Sequence, residues 1–296
     1  MKKVHQLLGL EKPVPGLFGI EIEAEGKNMR EVHNKYWKTV DDGSLRGHYP
    51  DKSAEFVINK PITREEVEPA LDSLIQELEG ATFDFSFRTS VHVHVNVQDL
   101  TEAQTLNMIY AYLLLEEPLV NFCGRERKGN RFCLRVVDAE DTVEVLRTGF
   151  NGGLQYLMAQ DPNAVRYSAL NIASLRKYGS IEFRAMRGNI DKEVIKDWTE
   201  ALYALKAYAI TKKSPKEILQ EYQALDADGF MRQVLGGLYQ TFKYPRMVKE
   251  IQRSFSLTLD LPYAYKEKVE DAPVKGIAPK APAAVRPRAN RAIVDF

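Results

Sequence analysis

Gly19-Ile20-Glu21-Ile22-Glu23-Ala24-Glu25 alternates apolar and acidic residues without a break. In a strand, successive side chains point to opposite faces, so Ile20, Ile22 and Ala24 share one face and Glu21, Glu23 and Glu25 the other. The first face builds a core and the second collects negative charge. Like charges roughly 7 Å apart repel unless water, a basic side chain or a cation lies among them. Taken alone, such a strand also fits the solvent-facing edge of an antiparallel sheet. Further strands of the same design change that reading.

The longest alternation runs from Phe83 to Val97. Its odd positions are aromatic or β-branched. Its even positions, Asp84, Ser86, Arg88, Ser90, His92, His94 and Asn96, are all polar. Fifteen residues exceed an ordinary strand, which predicts a break near Thr89-Ser90. His92 and His94 stand at i and i+2 on one face, close enough to hold one cation or to act on one substrate; two hydrogen-bonded structural imidazoles fit the same pattern. Ser53-Ala54-Glu55-Phe56-Val57-Ile58 predicts another strand, with Glu55 entering an otherwise apolar run, and acids so placed are usually paired or functional. Arg166-Tyr167-Ser168-Ala169-Leu170-Asn171 and Gly179-Ser180-Ile181-Glu182-Phe183-Arg184-Ala185 predict a hairpin with Ile181, Phe183 and Ala185 on the core side and Glu182 and Arg184 opposite. Four strands, each with one ionisable face, suffice to line a concave polar sheet.

Composition sets the bounds. The chain has 296 residues, 44% of them hydrophobic, enough for a full core. Lys plus Arg and Asp plus Glu both number 41, so overall charge gives no reason to expect nucleic acid or a membrane surface as partner. No segment approaches the ~20 apolar residues of a membrane span, and the apolar run behind the basic start is too short for a signal sequence. Cys123 and Cys133 lack metal-site spacing. They fit a reducing cytoplasmic setting rather than a cysteine zinc site.

The other segments read as scaffold. Thr63-Arg64-Glu65-Glu66 and Thr101-Glu102-Ala103-Gln104 are capping boxes, the second opening a helical stripe expected to end before Pro118. Asp41-Asp42-Gly43-Ser44-Leu45 marks a turn. The basic stretch from Gly124 to Arg131 reads as a solvated loop, with a phosphate-facing loop as the alternative. Helices are expected over 140–160, interrupted at Gly152-Gly153, and from Asp191, Pro215, Asp226 and Pro245 onward. Residues 266–296 form a basic Pro/Ala-rich segment read as a flexible tail, a candidate contact for a second copy or a protein partner. Residues 1–265 then form a single domain.

In this order, GIEIE, DGSL, Glu55 with Pro61 beyond it, SVHVHV, RYSALN and GSIEFR resemble the amidoligase family of the carboxylate–amine ligase superfamily, which includes glutamine synthetase and glutamate–cysteine ligase. The resemblance covers roughly residues 18–198. It implies an α+β fold, a curved antiparallel sheet lining the active site with helices on its outer side, as in the catalytic fold of glutamine synthetase. It further implies an enzyme that uses ATP and divalent cations, Mg²⁺ or Mn²⁺, to join a small-molecule or peptide carboxylate to an amine through an acyl phosphate. Motif by motif, Glu21, Glu23, Glu55 and Glu182 resemble metal ligands, and His92 or His94 the histidine that completes a site. Arg184 resembles the arginine that steadies the transferring phosphate, while Arg166, Asn171 and Arg88 resemble nucleotide or acyl-phosphate contacts. Ser90 stands where many relatives carry glycine. Two other readings use the same residues: a metal-dependent hydrolase without ATP, and a non-catalytic scaffold that binds an assembly through its basic tail.

Overall fold

The computed structural model describes residues 2–41, 43–45, 52–161, 165 and 167–266. The alternating acidic stretch lies within strand β1 (Phe18–Lys27). The other strands are β2 (Trp37–Val40), β3 (Lys52–Ile58), β4 (Thr82–Phe83), β5 (Ser90–Asn96), β6 (Leu170–Asn171) and β7 (Ser180–Arg187). Among the described residues they form one open antiparallel sheet in the order β2-β3-β1-β5-β7-β6, with β4 pairing to β1. The four strands with an ionisable face, β3, β1, β5 and β7, are therefore consecutive in the sheet.

Period-two alternation predicts the sheet's two faces. Ile20, Ile22 and Ala24 of β1, Val91, Val93 and Val95 of β5, and Ile181 and Phe183 of β7 are all fully buried. The Glu102–Cys123 and Lys192–Ile210 helices cover this side: the Phe183 ring lies 5.1 Å from Tyr112 of the first and 6.4 Å from Trp198 of the second. Burying Phe183 stabilises by about 2–3 kcal/mol. Trp37 of β2 donates from Nε1 to the Ala70 carbonyl at 2.6 Å, which ties the sheet's far edge to the Val67–Glu77 helix. The architecture is α+β, an antiparallel sheet with helices on it.

The long alternation does break where expected. From Ile22 to Gly26 β1 advances four residues, while its neighbour retreats eight, from Val91 to Phe83, so the intervening segment is looped out of the sheet. Gly152 ends one helix, and the next begins at Leu154 after Gly153 at φ 93°. Asp226 breaks the Pro215–Leu235 helix at φ 60° and accepts from the amides of Asp228 and Gly229, acting as a fresh N-cap.

Three expectations are corrected. The helix opened by the Thr101 capping box passes through Pro118 and ends at Cys123. It is enclosed by the sheet and by neighbouring helices, and burying Leu119, Val120 and Cys123 beyond the proline offsets a cost of about 3 kcal/mol. The connection between β6 and β7 is a short helix, Ser174–Tyr178, rather than a simple turn. The 124–131 loop is only partly solvated, because Arg127 is 1% exposed and turned inward. Asp42 of the DGSL turn and the basic tail from 267 lie outside the described residues.

Candidate functional site

Sheet register brings the predicted acids and imidazoles together. Glu21 of β1 faces His92 of β5, and His94 faces Glu182 of β7, which in turn faces Asn171 of β6. Glu23 faces Glu55 of β3. The ligand atoms of Glu21, His94 and Glu182 all lie within 4.8 Å of one another. A Mg²⁺ held by two ligands at ~2.1 Å needs them no more than about 4.2 Å apart. Small side-chain adjustments meet that limit, and two carboxylates with one imidazole suit Mg²⁺ or Mn²⁺. Glu23 and Glu55 lie one step further along the same face, and two acids directly opposite one another favour a cation between them.

The two histidines are held differently. His94 places Nε2 3.4 Å from Glu21 Oε1, and its Nδ1 lies 3.1 Å from Ser180 Oγ. His92 is more deeply buried, with Nδ1 3.3 Å from Glu21 Oε2 and Nε2 2.7 Å from Ser90 Oγ. The Ser90 hydroxyl also reaches Glu23 Oε2 at 2.5 Å. His94 completes the three-atom cluster, while His92 also places Nδ1 3.7 Å from Glu182 Oε1 and links both acids through Ser90 to Glu23. Ser90 thus ties the buried Glu23 carboxylate into the network.

Glu182 is braced from two sides. Arg184 donates to its Oε1 at 2.5 Å and Asn171 donates to its Oε2 at 2.6 Å. Each oxygen keeps a lone pair for a cation. Burial pushes the Glu182 carboxyl up, but the charges of Arg184, His92 and His94 outweigh it and hold it below the ordinary carboxylate range. Burial also opposes ionisation of Glu21, yet hydrogen bonds and charge from both histidines hold it far below that range. Burial disfavours charge on His94, and its bond to Glu21 with the charge of Glu182 raises it all the same. Arg184 Nε is buried with no hydrogen-bond partner among the described residues, a donor left over for a further acceptor.

Sequence reasoning missed the residue behind this arrangement. Between Val91 and Val93 the β5–β7 register shifts: two steps on β5 match three on β7, from Met186 to Phe183, so both Arg184 and Ala185 fall opposite His92. Arg127 donates to the carbonyls of Arg184 and Ala185, each at 3.0 Å, and more weakly to those of Phe87 and Thr89. It anchors the bulge and the looped-out segment together. Nothing in a run of charged loop residues marks it in advance. Ser90 and Ser180, by contrast, share strand parity with the histidines and with Glu182.

The remaining predicted residues fall elsewhere. Arg88 sits in the looped-out segment, donating to the Ser44 carbonyl at 3.3 Å and lying over the rings of Phe87 and Phe132; it makes no bond to the cluster. Its even position does not put it on the polar face, because the strand has already broken. Arg166 lies outside the described residues. A cleft of about 570 Å³ opens beside Glu21 and His94, between the ends of β1, β5 and β7 and the chain around Leu8–Val14.

No helix among the described residues is long and apolar enough to cross a membrane. No curated protein matches the chain. The family model described as "Putative amidoligase enzyme" matches residues 17–205, a span that runs from the start of β1 into the helix behind β7 and includes every acid and imidazole of the cluster. The chain belongs to the amidoligase family, whose name denotes amide-bond-forming ligases.

Proposed function

We propose that this chain is an ATP-dependent ligase that activates a carboxylate as an acyl phosphate and passes the acyl group to an amine. The observation that carries the reading is the convergence of Glu21, His94 and Glu182, with Arg184 bonded to Glu182 and one of its own donors unspent. Mg²⁺ or Mn²⁺ at such acids would screen the polyphosphate and offset the charge that develops as phosphate transfers. Glu21, His94 and Glu182 are the residues to hold one cation, and Glu23 with Glu55 those to hold a second. Ser180 and Asn171 fix the orientation of His94 and Glu182, as partners behind metal ligands do. Arg184 offers a planar fork to phosphate oxygens.

The atoms balance in two steps. A carboxylate oxygen of the acid attacks the γ-phosphorus and ADP leaves. The amine then attacks the acyl carbon, loses a proton, and phosphate leaves. The hydrolase reading needs the same acids and would consume no nucleotide.

Hydroxylamine tests the proposal. With ATP, Mg²⁺ and a panel of acids, the protein should yield a hydroxamate and ADP. Glu182→Gln keeps size and removes the charge, so turnover should fall by orders of magnitude while the fold persists. Arg184→Lys should lower turnover with a smaller change in ATP affinity. AMP release would mean an adenylate, and hydrolysis of an amide without nucleotide consumption would mean the hydrolase. Either result overturns the proposal.

A further inference from the structure

The cleft beside the cluster differs from it in charge. Lys38, Lys60, Arg176 and Lys177 line it, and Glu21 is its one acid among the described residues. Lys38, Lys60 and Arg176 form no ion pair among the described residues, and all four cations are exposed. The rest of the wall is largely apolar: Leu8, Leu10, Val14, Val57, Pro61 and the ring of Tyr178. Leu10, Val14 and Tyr178 keep 40%, 42% and 50% of their surface open, more than side chains of these types usually leave to water.

The amides of Gln98 and Asn96 in the wall are bonded to the backbone on both sides. Gln98 accepts from the Val14 amide and donates to the Tyr178 carbonyl. Asn96 donates to the carbonyls of Val14 and Gly16 and accepts from the Gln98 amide. Asn59 donates to the carbonyls of Asn34 and Lys35. A nucleobase is read through hydrogen bonds to its edge, which needs amides or hydroxyls held free for it. Beside Asn59 Oδ1 and the hydroxyls of Tyr178 and Ser180, the wall meets a ligand mainly with cations and hydrocarbon. About 570 Å³ is within the range of small-molecule sites.

Building on the ligase reading above, we infer that this cleft binds the acyl substrate, and that the substrate is a polycarboxylate: one carboxylate beside Glu21 and His94 for activation, the others at the basic rim, joined by a hydrocarbon stretch against the apolar wall. That chemistry comes either as an acidic peptide or as a free polycarboxylic acid. The nucleotide then binds outside the cleft. Lys38 and Lys60 approach from the β2–β3 side and Arg176 and Lys177 from the short helix before β7, so charges at both ends of an extended ligand are met.

Fluorescence anisotropy tests this on the full chain. The probe is a labelled peptide with three glutamates and one leucine, and its control has glutamine at each glutamate. The acidic probe should bind at least tenfold more tightly than the control, and the preference should shrink as salt is raised. The double variant Lys60→Gln, Arg176→Gln alters exposed side chains with no ion-pair partner among the described residues. It should bind the acidic probe at least tenfold more weakly with an unchanged melting curve. Tricarballylate displacing the probe at similar concentration identifies a free polycarboxylic acid, and failure to displace it identifies a peptide; both support the inference. Equal binding of the two peptides, an unaffected double variant, or competitive displacement by ADP with Mg²⁺ would each overturn it. Hydroxamate formation from some other acid with no probe binding defeats the cleft assignment alone. Probe binding without any ATP turnover defeats the ligase reading and leaves the cleft standing.

Discussion

Glu182 and Glu116 are both buried acids, 6% and 1% exposed, and the fold brings them to opposite states. Glu182 is surrounded by Arg184, His92 and His94 and stays ionised despite its burial. Glu116 lies within the Glu102–Cys123 helix and accepts from the Val136 amide at 2.7 Å. Burial pushes it up to about 8, against the Val136 amide and the more distant charge of Arg135, while the neighbouring Glu117 adds to the rise. Glu117 itself takes the direct contact with Arg135, at 2.9 Å. Burial alone therefore does not decide charge; the nearest partner does. One acid is kept negative, as the proposed cation ligand must be, and the other is a neutral packing group that happens to be acidic.

Three experiments would break or sharpen this contrast. The largest effect is expected at Arg127, whose four carbonyl contacts hold the bulge that carries Arg184. Arg127→Met removes the guanidinium from the Arg184 and Ala185 carbonyls, while Phe87 and Thr89 keep Asn130 and Gly188, and should cost about 3 kcal/mol or more by chemical denaturation. Arg127→Lys should recover little, since one ammonium cannot reproduce the planar fork. A variant as stable as the parent would show that the bulge does not depend on it.

Cation affinity comes next. By calorimetry with Mn²⁺, Glu182→Gln should weaken binding roughly 100-fold and Asn171→Ala roughly tenfold, the scale seen when groups behind a metal ligand are removed. Glu116→Gln should leave Mn²⁺ affinity unchanged. Loss of affinity in the Glu116 variant would dissolve the distinction between the two acids.

The smallest effect, taken per pH unit, is a slope in stability. Glu116 titrates near 8 in the folded chain and near 4.3 when unfolded. Between those values the folded state holds a proton that the unfolded state has lost, so stability is greatest below about 4.3 and falls as pH rises. The slope is on the order of 1.4 kcal/mol per pH unit and vanishes above about 8. Glu116→Gln should remove that component, so the variant gains on the parent as pH goes from 5 to 8. Parallel stability profiles over this window would show that Glu116 is ionised in the folded protein.

Much of the acidic face was legible without coordinates, and the reason is local. A strand's side-chain period is two, so Glu21, Glu23, His92, His94, Glu182 and Arg184 were assigned to polar faces by counting alone. The same rule failed at Arg88, because alternation continues in sequence after a strand has looped away from its neighbour. The separate expectation of a helix stop at Pro118 failed because a helix enclosed by other elements tolerates a residue that would end an exposed one.

By itself the sequence determined which residues could share a face, where helices start at Thr101 and Asp191, and which family motifs occur in order. Tertiary structure decided that β3, β1, β5 and β7 are neighbours, that Glu21, Glu182 and both histidines meet on one face, and that Arg127 is buried under the bulge. It also assembled the basic cleft from Lys38, Lys60, Arg176 and Lys177, which stand far apart in the chain. The division follows from range: alternation and capping are set by a few consecutive residues, whereas strand order, register shifts and clefts depend on contacts between segments that no local pattern encodes.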